Sequence, residues 1–258
     1  MPLPRRGQDR PASHKDVGID EILHVVQCLR ANDIICCIVG GRALRYYGVP
    51  RAPTDWHVCV PNNDAARAAA LFATSQDYEP GDKILPQIKS LLDTYPLFKL
   101  KGVNFRIYIM PAFEYFLSDL DESMIEFSRN HNVPYPKLQP YAQSLVSTQR
   151  WPELVQLVDG MDIDEDWGTA NLQLGMPSEA ELEYVQQKNC KITASRPGRN
   201  NAAGSLSSNK SFNRTKEWHE IVSTKELRIA PPYTPERYST QFRRKGSGDP
   251  RFKEGKAV

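Results

Sequence analysis

Apolar residues first recur at helical spacing in "VGIDEILHVVQCLRAN", where Ile22, Val25, Val26 and Leu29 share one face and predict a helix over 17–32. The pattern then tightens. Ile34 to Val39 is an apolar run stopping at Gly40-Gly41, which predicts a buried strand followed by a tight turn. Arg42 to Tyr47 predicts a short helix closed by Gly48 and Pro50, and Asp55 to Val60 predicts a second strand. Ala65 to Thr74 is alanine-rich and helical, with Asn62 to Asp64 placed to cap it.

Residues 78–96 predict a loop with a helix near Gln87 to Leu92. Leu97 to Leu100 and Val103 to Met110, joined by Lys101-Gly102, predict a hairpin. Helices are expected at Phe113 to Leu120, Met124 to Asn130, Tyr141 to Gln149, Pro152 to Asp159 and Ser178 to Lys188. Helix, strand, helix, strand, helix, hairpin and helices together predict an α/β fold: a small mixed sheet flanked by helices, with a helical C-terminal half. The expected organisation is a disordered segment over 1–15, an α/β domain over 16–135, its helical extension over 136–189 and a basic, largely disordered tail over 190–258. The stretch "CKITASRPGRNNAAGSLSSNKSFNRTK" is too rich in Ser, Asn, Gly and Arg to bury a core.

Charge sharpens that division. The 258-residue chain has a net charge of only +2, yet Cys190 onward holds 15 Lys and Arg against 6 Asp and Glu, leaving an acidic surplus before it. An acidic globular part is a poor general binder of polyanions, whereas the basic tail suits an acidic partner or nucleic acid. Trp218, Tyr233, Tyr238 and Phe242, interspersed with Arg and Lys, fit either an unstructured tail or single-stranded nucleic-acid contacts. No apolar run approaches a membrane span, and Cys36-Cys37 read as buried thiols of a reducing compartment, cytoplasmic or nuclear. The acidic stretch "DGMDIDEDWG" has Trp167 and Gln173 where a calcium loop needs Gly and Glu, so it predicts a solvated acidic loop.

The chemistry concentrates in "GGRALRYYGVPRAPTDWHVCV". Two acids at i and i+2 of a strand point the same way and can share a pair of divalent ions, while a glycine pair before a helix lets backbone amides approach phosphates. The stretch resembles the polymerase-beta-type nucleotidyltransferase superfamily, matching its pattern at Gly40, Gly41, Ala43, Leu44, Tyr47, Gly48, Arg51, Thr54 and Asp55. Together with "VPYPKLQPYAQSLV", it is also similar to uncharacterised fungal nucleotidyltransferase-like proteins, over about residues 20–189. The resemblance implies a nucleotidyltransferase-like fold, an NTP bound through Gly40, Gly41, Arg42, Arg51 and Thr54, and Mg²⁺ or Mn²⁺ held at Asp55 and the position of His57.

Departures from the family pattern limit that implication. His57 stands where the family has its second acid, and imidazole is a poor Mg²⁺ ligand. The strand "VNFRIYIM" turns Asn104, Arg106 and Tyr108 to its polar face and offers no third acid, with Glu114 as the only nearby substitute. The expectation is a nucleotidyltransferase-fold protein without standard catalysis, retaining nucleotide or partner binding. Two alternatives stay open: an active enzyme moving NMP from an NTP to a small molecule or protein, with Asp55 and His57 as catalytic residues on an altered metal site, and a nucleic-acid-associated protein acting through its basic tail.

Overall fold

The computed structural model describes residues 9–50, 55–82, 84–87, 89–117, 120–196, 206, 213–229 and 248–252. After a single turn α1 (Ser13–Asp16), α2 (Ile19–Arg30) buries Ile22, Val25, Val26 and Leu29, as its spacing predicts. There follow β1 (Cys37–Val39), α3 (Gly40–Tyr46), β2 (Trp56–Val60), α4 (Ala65–Thr74), β3 (Tyr78–Pro80), β4 (Leu97–Leu100) and β5 (Arg106–Pro111). The sheet order is β1-β2-β5-β4-β3. Only β2 and β5 run parallel; the other neighbours are antiparallel, so the sheet is mixed. Its alternating side chains enter one hydrophobic core with α2, α3, α4 and part of the helical half, while Tyr184, Val185 and Ile192 pack in a smaller cluster with Leu91 and Phe113.

That half comprises α5 (Leu138–Ser147), α6 (Trp151–Met161), α7 (Glu165–Asn171) and α8 (Glu179–Ser195), preceded by the small ribbon β6 (Ile125–Phe127) and β7 (Pro134–Pro136). Ser178 and Glu181 form a reciprocal capping box that starts α8. Cys36, Cys37 and Cys59 are buried free thiols. Among the described residues no helix is long and apolar enough to cross a membrane.

Several expectations are corrected. Residues 124–130 are not a helix: Asp121 caps a single turn through Ser123 and Met124, and Ile125–Phe127 instead pairs with Pro134–Pro136. The helix expected at 113–120 is one 3₁₀ turn, Ala112–Tyr115, ended by Phe116 at φ +52. Among the described residues near 87–92 there is a 3₁₀ turn at Leu92–Thr94 and no α-helix, and Tyr78–Pro80 is a strand rather than loop. The stretch expected as an acidic loop is mostly helical: Asp159 to Met161 end α6 and Glu165 opens α7, with Asp164 accepting from the Trp167 amide at 2.8 Å. Within the expected disordered N-terminus, Arg10 bridges to Val103 and Ala12 is buried; residues 1–8 lie outside the described set.

The basic tail is described only in part, and two of its segments are helical. Residues 214–223 and 225–229 form α9 (Arg214–Ser223) and α10 (Lys225–Ile229), and Trp218 is fully buried. A Cβ on Gly168 of α7 would meet the Trp218 ring at 2.1 Å, so the glycine provides the seat for the indole. Ion pairs then tie the tail to the acidic part: Arg214 with Glu181 at 2.8 Å, Lys225 with Asp162 at 2.8 Å and Arg228 with Asp159 at 2.6 Å. Tyr233, Tyr238 and Phe242 lie outside the described residues.

Candidate active site

Alternation along β2 sends Asp55, His57 and Cys59 to one face and Trp56, Val58 and Val60 to the other. The parallel register with β5 sets Trp56 opposite Ile107 and His57 opposite Tyr108, which brings Arg106 beside Asp55. Arg106 Nε lies 2.7 Å from Asp55 Oδ1, with the two side chains 40% and 19% exposed. The neighbouring strand thus presents a guanidinium where the family resemblance calls for a third acid. A cation approaching Asp55 meets a charge of its own sign already in contact with the carboxylate.

His57 is half-buried and meets the Tyr108 ring edge-on at 5.3 Å. Its Nδ1 is buried without a hydrogen-bond partner among the described residues. Gly40 has φ +67, and a Cβ there would fall 2.6 Å from that nitrogen and 3.2 Å from the Tyr115 hydroxyl. The missing side chain of Gly40 is therefore the space the imidazole occupies. Tyr141 closes the packing by donating its hydroxyl to the Gly40 carbonyl at 3.3 Å.

Burial pushes the His57 pKa down to about 4, with Asp55 opposing the shift and Arg150 adding to it. The ring is neutral at neutral pH. An unfolded chain takes up this proton near 6.5 while the folded one waits until about 4, so stability falls as pH drops through that window. Urea midpoints at pH 7 and pH 4.5 are expected to differ less in His57→Gln than in the wild-type chain; an equal loss in both would exclude His57 as a source of acid sensitivity.

Glu114 does not substitute at Asp55. The turn after β5 carries it into the helical half, where it is 1% exposed and paired with Arg150 and Lys188. Ser90 and Tyr95 donate hydroxyls to its carboxylate at 3.2 and 3.0 Å. Arg150 also lies over the Tyr115 ring at 4.3 Å. These contacts hold the Glu114 carboxyl below its ordinary pKa against the opposing pull of burial, with Lys188 and Arg150 as the main counter-charges.

Of the residues expected to hold a nucleotide, the described ones are Gly40, Gly41 and Arg42. Gly40 and Gly41 open α3, but the space over Gly40 is filled by His57. Arg42 is buried with its guanidinium 4.4 Å from the Trp56 ring, on the opposite side of β2 from Asp55 and His57. Arg51 and Thr54 lie outside the described residues. No group of three His, Cys, Asp or Glu able to hold a metal occurs among the described residues. One carboxylate in contact with a guanidinium, beside an imidazole turned into packing, does not fit a pair of divalent ions.

Alternation in "VNFRIYIM" made Arg106 visible in the sequence; its contact with Asp55 required the strand order. The Glu114 cluster joins residues as distant as Ser90 and Lys188, and no local signal marks it.

No family model matches the chain, and no curated protein matches it. Among solved structures it is similar to ANT(2")-Ia in complex with adenylyl-2"-tobramycin, at 10% identity over 82% of this chain and 98% of that one, with a TM-score of 0.32. A solution structure of the antibiotic-resistance factor ANT(2")-Ia matches at 9% identity over 81% and 91%, with a TM-score of 0.33. Terminal uridylyl transferase 4 from Trypanosoma brucei with bound GTP matches at 14% identity over 89% and 70%, with a TM-score of 0.25. These likenesses are loose, and the site has to be understood from its own register and residues.

Proposed function

We propose that this chain is a nucleotidyltransferase-fold protein that has lost two-metal catalysis and works by binding. The observation that carries this reading is the 2.7 Å contact of Arg106 with Asp55, which neutralises the one acid left from the family's metal-binding set. His57 strengthens it: a neutral imidazole lodged over Gly40 adds no negative charge to the site. Loss of a shared metal ligand is expected to cost several kcal/mol of transition-state stabilisation, on the order of three decades in rate.

The test is pyrophosphate release from ATP, CTP, GTP or UTP with Mg²⁺ or Mn²⁺. No release above that of Asp55→Ala is expected, and release abolished by that substitution would make the chain an active transferase with an altered site. A complementary measurement is Mn²⁺ titration by electron paramagnetic resonance. The wild-type chain should leave Mn²⁺ free, whereas the double variant His57→Asp, Arg106→Asp should bind it. A nucleic-acid role for the tail has less support, because Arg214, Lys225 and Arg228 are engaged with carboxylates of the chain itself.

A further inference from the structure

On the Trp56 side of β2, away from Asp55 and His57, lies a cavity of about 190 Å³. Arg42, Arg45, Arg129 and Arg251 line it together with His14 and His131, and among the described residues no Asp or Glu does. The walls are therefore strongly cationic in the acidic half of the chain.

Some of that charge is already answered. Arg251 pairs with Glu126 at 3.2 Å and with Asp249 at 2.7 Å, and His14 lies 3.2 Å from Asp20. Arg42 is different. It is 5% exposed, forms no ion pair or hydrogen bond among the described residues, and its Nε is buried without a partner. Its direct described contact is the face of Trp56, while Asp55 and Asp16 act on its charge without touching it. Burial lowers its pKa to about 10, which still leaves it charged at neutral pH. A guanidinium taken from water without a carboxylate is costly, and an anion in the cavity would supply the missing acceptor. Arg129, exposed and lying over the Phe252 ring at 4.0 Å, adds a second cation at the wall.

We propose that this cavity binds a small phosphate-bearing molecule, with Arg42 as the anchoring residue. Phosphate matches the geometry of guanidinium donors and draws charge-assisted hydrogen bonds from several at once. The stacked rings of Tyr46 and Tyr135, 4.3 Å apart, give a flat wall for an organic portion. The volume admits a phosphate with a modest substituent, not a length of polymer. The site stands on the cavity's own residues and does not depend on the loss of metal chemistry at Asp55.

The experiment is calorimetric titration of the full chain with inorganic phosphate and, separately, with AMP, at fixed ionic strength and without divalent metal. Saturable one-to-one binding of at least one of them is expected; tighter binding of AMP identifies an ester as the ligand class, and equal binding identifies the phosphate group alone. Arg42→Gln should weaken binding roughly tenfold or more, since it removes a charged donor. Arg129→Gln, at an exposed position that does not threaten folding, should weaken it several-fold. Asp55→Asn should not weaken it, since that carboxylate only opposes an anion beside Arg42. No saturable binding, or binding indifferent to both arginine substitutions, overturns the proposal. Binding that demands Mn²⁺ and disappears in Asp55→Asn also overturns it, and in that case counts against the loss of metal chemistry as well.

Discussion

Glu114→Ala is expected to lower folding stability by about 3–5 kcal/mol, the range for breaking a buried ion pair from one side. The carboxylate faces Lys188, 0% exposed at 3.3 Å, together with Arg150, and Lys188 also donates to the Glu114 carbonyl at 3.1 Å. Burial brings Lys188 down to about 8 even with Glu114 working in the opposite direction, and Arg150 adds to the fall. Without Glu114 the ammonium has to shed its proton or remain charged in protein, and either outcome favours the unfolded chain. Glu114→Gln keeps the shape and the hydroxyl contacts, so it should cost less. Adding Lys188→Met to Glu114→Gln should recover part of the loss, because the unpaired ammonium then disappears and Arg150 keeps Glu153. Urea midpoints at constant slope provide the measurement. A Glu114→Ala chain within about 1 kcal/mol of wild type would show that the network contributes little net stability.

Trp218→Ala should be comparably severe, at about 3–5 kcal/mol for truncating a fully buried indole. Its consequence is localised differently. The ring seats on Gly168, and the same helix pair holds Arg214 on Glu181 and Arg228 on Asp159, so removing the indole should free α9 and α10 together. Limited proteolysis is expected to cut within 213–229 in the variant well before it does so in the wild-type chain. Gly168→Ala should reproduce the effect from the other side, since its methyl group would overlap the ring. Equal protection of 213–229 in all three chains would mean that the tail is held by something other than this seat.

The parts of the fold that sequence makes legible are those set by near neighbours. Helix α2 follows from the spacing of Ile22, Val25, Val26 and Leu29, α4 from its alanines, and the β4–β5 hairpin from Lys101-Gly102, where Gly102 takes φ +69. The ribbon of β6 and β7 was hidden because Ile125–Phe127 becomes a strand only through pairing with a segment between two prolines. The tail was hidden by its average composition, although Trp218, Ile221 and Val222 are spaced as a helix face and Asn213 caps them. At the site, strand alternation exposed the absence of a third acid. The clamp on Glu114 and the stacking of Arg42 on Trp56 depend on how separate segments meet, and no spacing along the chain encodes that.

The folded-back tail has an electrical consequence. Arg214, Lys225 and Arg228 lie against Glu181, Asp162 and Asp159, and residues 213–229 hold four Lys and Arg against three Glu, so the charges of this segment are answered locally. Fields from adjacent opposite charges fade quickly with distance in salt water, so a passing polyanion feels little long-range attraction toward residues 213–229. At this segment a partner is selected at contact range by fit rather than gathered from afar.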